Sequence, residues 1–87
     1  MKTYFTKTFK KHYLKRIYSS KNLDLHFEER YKMFTNNSKD PILRDHALGG
    51  KMKGFRSFSI TGDIRVVYYI SENIAYFVDI GSHNQVY

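Results

Sequence analysis

The sequence contains no cysteine, so no disulfide can hold the fold together. The same absence excludes a thiolate nucleophile and a zinc site built on cysteine ligands, and it fits a reducing compartment. No apolar run is long enough to span a membrane as a helix, and the first residues lack the apolar core and cleavage site of a secretory signal. We therefore expect a cytoplasmic protein with no membrane partner.

Acidic residues are scarce as well. Eight Asp and Glu stand against 15 Lys and Arg, and the formal net charge is +7. Such an excess favours a polyanion as partner. Aromatic residues make up 17% of the chain and are spread along it, so nucleic acid fits better than a membrane surface, which one amphipathic anchor would bind. The 87 residues suffice for one domain, predicted to span 1–87, with a modest core.

Residues 3–6 could form a short opening strand, and hydrophobic spacing then predicts two helices. Apolar residues recur every four positions from Lys7 to Tyr18 and again from Leu23 to Phe34, as one face of a helix requires. The polar residues at 19–22 and 35–38 are typical of helix ends. Residues 40–54 contain the single proline and three glycines, which predicts a loop with at most one helical turn.

After Gly54 the hydrophobic period changes from 3.6 to 2, which predicts strands. They lie around Phe58, at residues 64–70 and at residues 73–80, joined by short turns, the first at 61–63. The predicted fold class is therefore α+β. Two N-terminal helices pack on one face of a small antiparallel sheet in a single domain.

Alternation along the strands predicts which side chains face the helices. If Val66, Tyr68 and Ile70 do so, Arg65 faces the other side together with Ser57 and Ser59. The same parity on the last strand places Asp79 on the Arg65 side and buries four residues, namely Ile74, Tyr76, Val78 and Ile80. The second face is thus polar and basic, and an antiparallel sheet commonly leaves such a face to solvent.

Four polar side chains could converge on that face and carry chemistry. His46 lies in the predicted loop, His83 in the C-terminal tail, and Asp63 and Arg65 at the hairpin. They could supply a general base, a general acid, an orienting group and a charge that stabilises a phosphate. Cleavage of RNA by attack of the 2′-OH needs these roles and no metal. Sequence distance leaves their convergence open.

No metal site and no cofactor are predicted. The four histidines of the chain show no metal-ligand spacing. His12 and His26 lie on predicted exposed helix faces, where a solvated surface role is expected.

The stretch RDHALGGKMKGFRSFSITGDIRVVYYI, followed by FVDIGSHNQVY, closely resembles the YafQ branch of the RelE superfamily of type II toxins. The resemblance covers residues 44–87, and the first 43 residues match more loosely, as a strand and a helix pair. It implies a small basic α+β protein encoded beside an antitoxin, with which it forms a hetero-oligomer. It also implies a ribosome-dependent endoribonuclease that enters the ribosomal A site and cuts mRNA by 2′-OH attack.

The resemblance also assigns roles to five residues. His46 matches a histidine proposed as an acid or base, and His83 matches one that acts as general acid. Asp63 matches a carboxylate that positions a histidine or the 2′-OH. Arg65 stands where many RelE-like toxins have an arginine on the scissile phosphate, and Tyr87 matches a terminal aromatic that stacks on or orients an mRNA base.

Two positions depart from the family pattern. Ser59 replaces a histidine that some YafQ-like proteins have, and Asp79 replaces an arginine. We expect Arg65 to supply the lost positive charge, since removing one electrostatic donor commonly costs ~100-fold or more in rate.

The loop before the hairpin is predicted to bind RNA. Lys51, Lys53 and Arg56 lie among glycines and could grip phosphates, with Ser59 beside them, although such a loop could also serve only solubility. Another possibility for the whole chain is a non-catalytic module that binds RNA, the ribosome or an antitoxin and has kept only the fold.

Overall fold

A computed structural model describes residues 1–87. The elements are β1 (Lys2–Phe5), α1 (Lys7–Arg16), α2 (Lys21–Asn36), β2 (His46–Ala47), β3 (Arg56–Ser59), β4 (Ile64–Ser71), β5 (Ile74–Ser82) and α3 (His83–Val86). The five strands form one sheet in the order β1-β5-β4-β3-β2. The predicted α+β class is confirmed.

The sheet is mixed rather than wholly antiparallel. Strand β1 runs parallel to β5, with Lys2 paired to Ile74 and Phe5 paired to Phe77, while the other pairs are antiparallel. A short strand predicted from four residues carries no information about its direction, because parallel and antiparallel strands have the same side-chain period.

Both long helices begin at polar caps. The Thr6 hydroxyl accepts a hydrogen bond from the Phe9 amide at the start of α1, and the Ser20 hydroxyl accepts one from the Leu23 amide at the start of α2. Each cap satisfies an amide that has no partner within the helix. The helix boundaries therefore follow from single residues that the sequence displays.

The main core lies between the two helices and one face of the sheet. Phe9 of α1, Ile17 at the C-terminal cap of α1, and Phe27 and Phe34 of α2 are buried there. The ring of Phe34 stacks on Phe58 of β3 with centroids 4.6 Å apart. Burial of each such side chain contributes about 1.5–3 kcal/mol, so this aromatic cluster fixes the helices on the sheet.

A β-bulge makes part of the predicted strand alternation wrong. Val67 pairs with Asp79 but Tyr68 pairs with Phe77, so Val78 has no partner. An extra residue in one strand reverses the parity before it. Ile80 is buried as predicted, whereas the residues buried before the bulge are Ala75 and Phe77, not Ile74, Tyr76 and Val78.

Ile70 was predicted to face the helices, but 48% of its surface is exposed. It lies next to the last residue of β4, at the end of the strand, where the alternation continues without a helix to cover it.

Two predicted irregular segments contain short elements. Within residues 40–54, 3-10 turns at Pro41–Leu43 and Gly50–Met52 flank strand β2, which carries His46 at the edge of the sheet. His83, predicted in a tail, begins α3.

Helix α3 covers part of the second face of the sheet. Val67 alternates with Val66 and Tyr68 of the main core, so it faces away from α1 and α2, and yet it is fully buried. Helix α3 packs against β4 and β5, and its Val86 is also buried. This short helix therefore brings the C-terminal residues onto the polar face.

Candidate active site

One groove brings together three of the predicted site residues. His46 and Ala47 of β2, the following Leu48, Gly49 and Met52, and the C-terminal His83 and Tyr87 line a groove of about 400 Å³. The predicted convergence of the two histidines thus occurs: the edge strand delivers one and α3 delivers the other.

The backbone fixes the tautomer of His46. Its Nδ1 lies 2.9 Å from the carbonyl oxygen of Arg44. A carbonyl oxygen can only accept, so Nδ1 carries the hydrogen and, in the neutral ring, Nε2 has a free lone pair. The side chain is exposed, so Nε2 can accept a proton from a ligand in the groove.

His83 and Tyr87 form a pair on α3. Their ring centroids are 4.6 Å apart and the planes meet at 81°, an edge-to-face contact. The Ser82 amide donates to the side-chain oxygen of Gln85 in a capping box, which sets where the helix starts. Tyr87 is 41% exposed, so its ring remains available to a base.

Arg65 and Ser59 face each other across β3 and β4, on the side of the sheet that carries Ser57 and His46. The Arg65 Nη1 donates to the Ser59 hydroxyl at 3.1 Å. The buried Nε of Arg65 and the buried hydroxyl of Ser57 have no hydrogen-bond partner. Buried polar atoms are nearly always paired, so these two are exceptions on the polar face of the sheet.

Asp63 is exposed at the hairpin between β3 and β4. Its amide donates to the Thr61 hydroxyl, and its carboxylate forms no hydrogen bond or ion pair. The predicted contact that would orient a histidine is therefore not formed in this structure.

The RNA-binding residues predicted in the loop fall into two groups. Lys51 and Lys53 are exposed around the second 3-10 turn and form no ion pair. Arg56, in contrast, holds Asp45 with its Nε at 2.7 Å and its Nη2 at 2.6 Å. Its hydrogen bonds with Asp45 raise the Arg56 pKa, so this guanidinium is charged and already paired.

Sequence reasoning missed the Asp45 cluster. The Asp45 carboxylate, with 7% of its side chain exposed, accepts hydrogen bonds from Arg56 and from the Tyr68 hydroxyl. Burial and then the Asp45 contact raise the pKa of Tyr68 above its ordinary value. The cluster anchors the residue that precedes His46 to β3 and β4, and a polar residue inside a loop gave no signal of it.

A second missed cluster surrounds Asp79. Its carboxylate lies 2.6 Å from His12 Nδ1 and 3.3 Å from Arg16 Nη1, and it accepts a hydrogen bond from the Ile80 amide. The prediction that His12 is exposed is thus wrong, because its side chain is 23% exposed and bound to β5. Arg16 also lies near Gly81, where an added Cβ would be 2.9 Å from its Nη1. The charge of Asp79 is therefore compensated by α1.

Residues 1–87 contain neither a metal-binding cluster nor a membrane-spanning helix. No three His, Asp or Glu side chains lie close enough together to hold a metal ion. No helix has the length and apolar character needed to cross a bilayer.

Comparison with known proteins identifies the family. The model of a family described as the bacterial toxin YafQ of type II toxin–antitoxin systems matches residues 1–87. The chain belongs to the YafQ toxin family. The resemblance predicted from residues 44–87 is confirmed and extends over all residues of this YafQ family member, which is a toxin of the type II class.

Solved structures share its fold. A metal-bound toxin from Helicobacter pylori is 27% identical, with 100% of this chain and 99% of that chain covered and a TM-score of 0.77. YafQ from Escherichia coli is 17% identical, with 98% and 96% covered and a TM-score of 0.78. The E. coli DinJ–YafQ complex gives 19% identity, 98% and 96% coverage and a TM-score of 0.74. No curated protein sequence matches the chain.

Proposed function

We propose that this toxin is an endoribonuclease that cleaves mRNA on the ribosome, by attack of a 2′-OH on the adjacent phosphate and without a metal. The observation that carries the proposal is the groove shared by His46, His83 and Tyr87. One base, one acid and one aromatic platform are what this reaction needs from the protein.

The two histidines take different roles in the proposed reaction. His46 accepts the 2′-OH proton at Nε2, since its Nδ1 is held by the Arg44 carbonyl. His83 then donates a proton to the leaving 5′-oxygen. Tyr87 orients the nucleotide by stacking on its nucleobase. Its edge-to-face contact with His83 links the position of the nucleobase to that of the general acid.

Positive charge on the same face stabilises the phosphate in this scheme. Arg65 of β4 lies two strands from His46 of β2, and the β3 residues Ser57 and Ser59 pair with His46 and Arg65 respectively. Donors fixed before the reaction stabilise the charge of the transition state without reorganisation. Lys51 and Lys53 contact the RNA backbone.

Of the other predicted residues, Ser59 and Arg56 act indirectly in this scheme, and the role of Asp63 remains a prediction. Ser59 acts on RNA through Arg65, and Arg56 acts through Asp45 by holding β2 in place. Asp63 contacts RNA only if the bound nucleotide reaches the hairpin.

The proposed partners are a cognate antitoxin, the ribosome and mRNA. E. coli YafQ forms a complex with DinJ, and by analogy an acidic or amphipathic antitoxin segment would cover the basic face here. The toxin would then act in the cytoplasm as a single domain of residues 1–87, in a hetero-oligomer until it is released.

A non-catalytic binding module is the second candidate, and one observation favours it. Neither His46 nor His83 contacts a carboxylate, so no acidic side chain orients either ring for proton transfer. Such a module would bind the ribosome or the antitoxin through the same basic face without cutting RNA.

The test uses ribosomes programmed with a short mRNA, with or without a 2′-O-methyl group at the cleaved nucleotide. We expect a product ending in a 2′,3′-cyclic phosphate, no product from the methylated mRNA, and no product with His83→Ala. His26→Ala is the matched control, because His26 bonds only to the Asn22 carbonyl of its own helix. Cleavage of the methylated mRNA, or full activity of His83→Ala, would contradict the mechanism.

A further inference from the structure

A second basic pocket shares no lining residue with the groove. It has a volume of about 480 Å³ and is lined by Arg30 of α2, Arg44, and the hairpin residues Ser59, Thr61 and Gly62, with Pro41 and Ile42 at its base. No carboxylate lines it, and neither arginine forms an ion pair.

The Arg30 guanidinium is incompletely satisfied. Its Nη1 donates a long hydrogen bond of 3.4 Å to the Ile42 carbonyl, and its Nε is buried with no partner. A partly buried cation without a counter-charge is costly unless a ligand completes its hydrogen bonds. Two guanidinium groups, each a rigid planar donor, suit a phosphate better than a single carboxylate.

Arg44 is held at the pocket by an uncommon backbone conformation. Its φ of 50° and ψ of 40° lie in the left-handed region, which costs about 1 kcal/mol or more for a residue with a side chain. The Arg44 carbonyl oxygen accepts the hydrogen bond from His46 Nδ1. The same residue therefore serves the groove through its backbone and the second pocket through its side chain.

The hairpin side of the pocket is connected to the candidate active site through one shared residue. Ser59 lines the pocket and accepts the hydrogen bond from Arg65. We propose that the Arg30–Arg44 pocket binds a backbone phosphate of RNA, one that is not cleaved, and so fixes the register of the strand in the groove. This inference rests on the proposed function for its choice of RNA as the anion.

The test measures RNA binding separately from cleavage. The probes are a short 2′-O-methyl oligoribonucleotide, which stands for mRNA, and purified ribosomes free of mRNA, which present ribosomal RNA. Binding is titrated by fluorescence anisotropy or sedimentation at several salt concentrations. The variants are Arg30→Gln/Arg44→Gln and the control Lys2→Gln/Lys21→Gln, which removes the same charge from exposed positions elsewhere.

The arginine variant should bind at least one probe about tenfold more weakly than the control variant does. Its slope of log affinity against log salt should be shallower by about 0.7, the value for one phosphate on a single strand. Loss with the oligoribonucleotide supports a phosphate of the strand in the groove, and loss with ribosomes alone would assign the phosphate to ribosomal RNA and overturn the register role. Equal affinities of the two double variants for both probes would overturn the proposal.

A single variant guards against misfolding. Arg44→Asn removes one charge and suits the left-handed backbone better than Arg does, so it should keep the melting temperature and still lose affinity. If wild type binds RNA through the pocket but cuts none, the proposed cleavage fails and the pocket stands. If wild type cuts RNA and the arginine variant binds RNA like the control, the pocket alone fails.

Discussion

The buried Asp45 cluster should make a large contribution to stability, and Asp45→Ala tests it. The change removes two charge-assisted hydrogen bonds to Arg56 and leaves the hydroxyl of Tyr68, a residue 1% exposed, without its acceptor. An unsatisfied buried hydroxyl costs about 1–3 kcal/mol. Because the Arg56 side chain is 38% exposed, water replaces part of its lost contact and we add only about 1 kcal/mol for it.

The expected loss is therefore about 3 kcal/mol in the free energy of unfolding, or a fall of about 12 °C or more in the melting temperature for a domain of this size. Urea and thermal unfolding followed by circular dichroism measure it. Asp63→Asn, at an exposed carboxylate without a partner, is the control and should stay within about 0.5 kcal/mol of wild type.

A double variant separates the cost of the unpaired Tyr68 hydroxyl from the cost of the lost contacts with Arg56. Adding Tyr68→Phe to Asp45→Ala removes the orphaned hydroxyl, so the pair should be about 1 kcal/mol more stable than Asp45→Ala alone. Changes at the protein surface usually alter the free energy of unfolding by no more than ~0.5 kcal/mol. If the free energy of unfolding of Asp45→Ala lies within that margin of the control, or if adding Tyr68→Phe restores no stability, the cluster does not stabilise the fold as argued.

Three other predictions concern packing, pH and activity. Gly81→Ala should lower the melting temperature and toxicity together, because the new methyl would meet the Gln85 side-chain oxygen at 2.6 Å and displace the start of α3; unchanged unfolding would contradict this. Burial and Asp45 raise the pKa of Tyr68 in the folded state, so the contribution of Tyr68 to stability should be constant below pH ~10 and fall above it, which makes the loss of stability at high pH steeper in wild type than in Tyr68→Phe; parallel pH curves would refute it. His46→Ala and His83→Ala should each abolish growth arrest at wild-type melting temperature and antitoxin affinity, and arrest by the double variant would refute their assignment.

The long elements of the fold could be predicted because their signals are local. Both helices and strands β3 to β5 follow from periodicity and from caps such as Thr6 and Ser20. Strand β2 and helix α3 have only two and four residues, too few to show a period. The bulge at Val78 escaped as well, since residues 74–78 form an unbroken apolar and aromatic run, in which an extra residue leaves the alternation ambiguous.

The candidate site was predictable only in part, for a similar reason. The resemblance supplied His46 and His83, and the structure places both at one groove. The contacts of Asp45 with Arg56 and of Asp79 with His12 join residues from different elements. Each of these residues alone resembles an ordinary surface charge, and only the folded chain shows that it is paired.

The most direct measurement of the central claim is the mapping of mRNA 5′ ends by primer extension on translating ribosomes, with wild-type protein, with His83→Ala, and with no added protein. Ribosome-dependent cleavage predicts discrete new ends inside coding regions with wild type alone. Binding of wild-type protein to ribosomes without any new ends would contradict cleavage and favour the non-catalytic module.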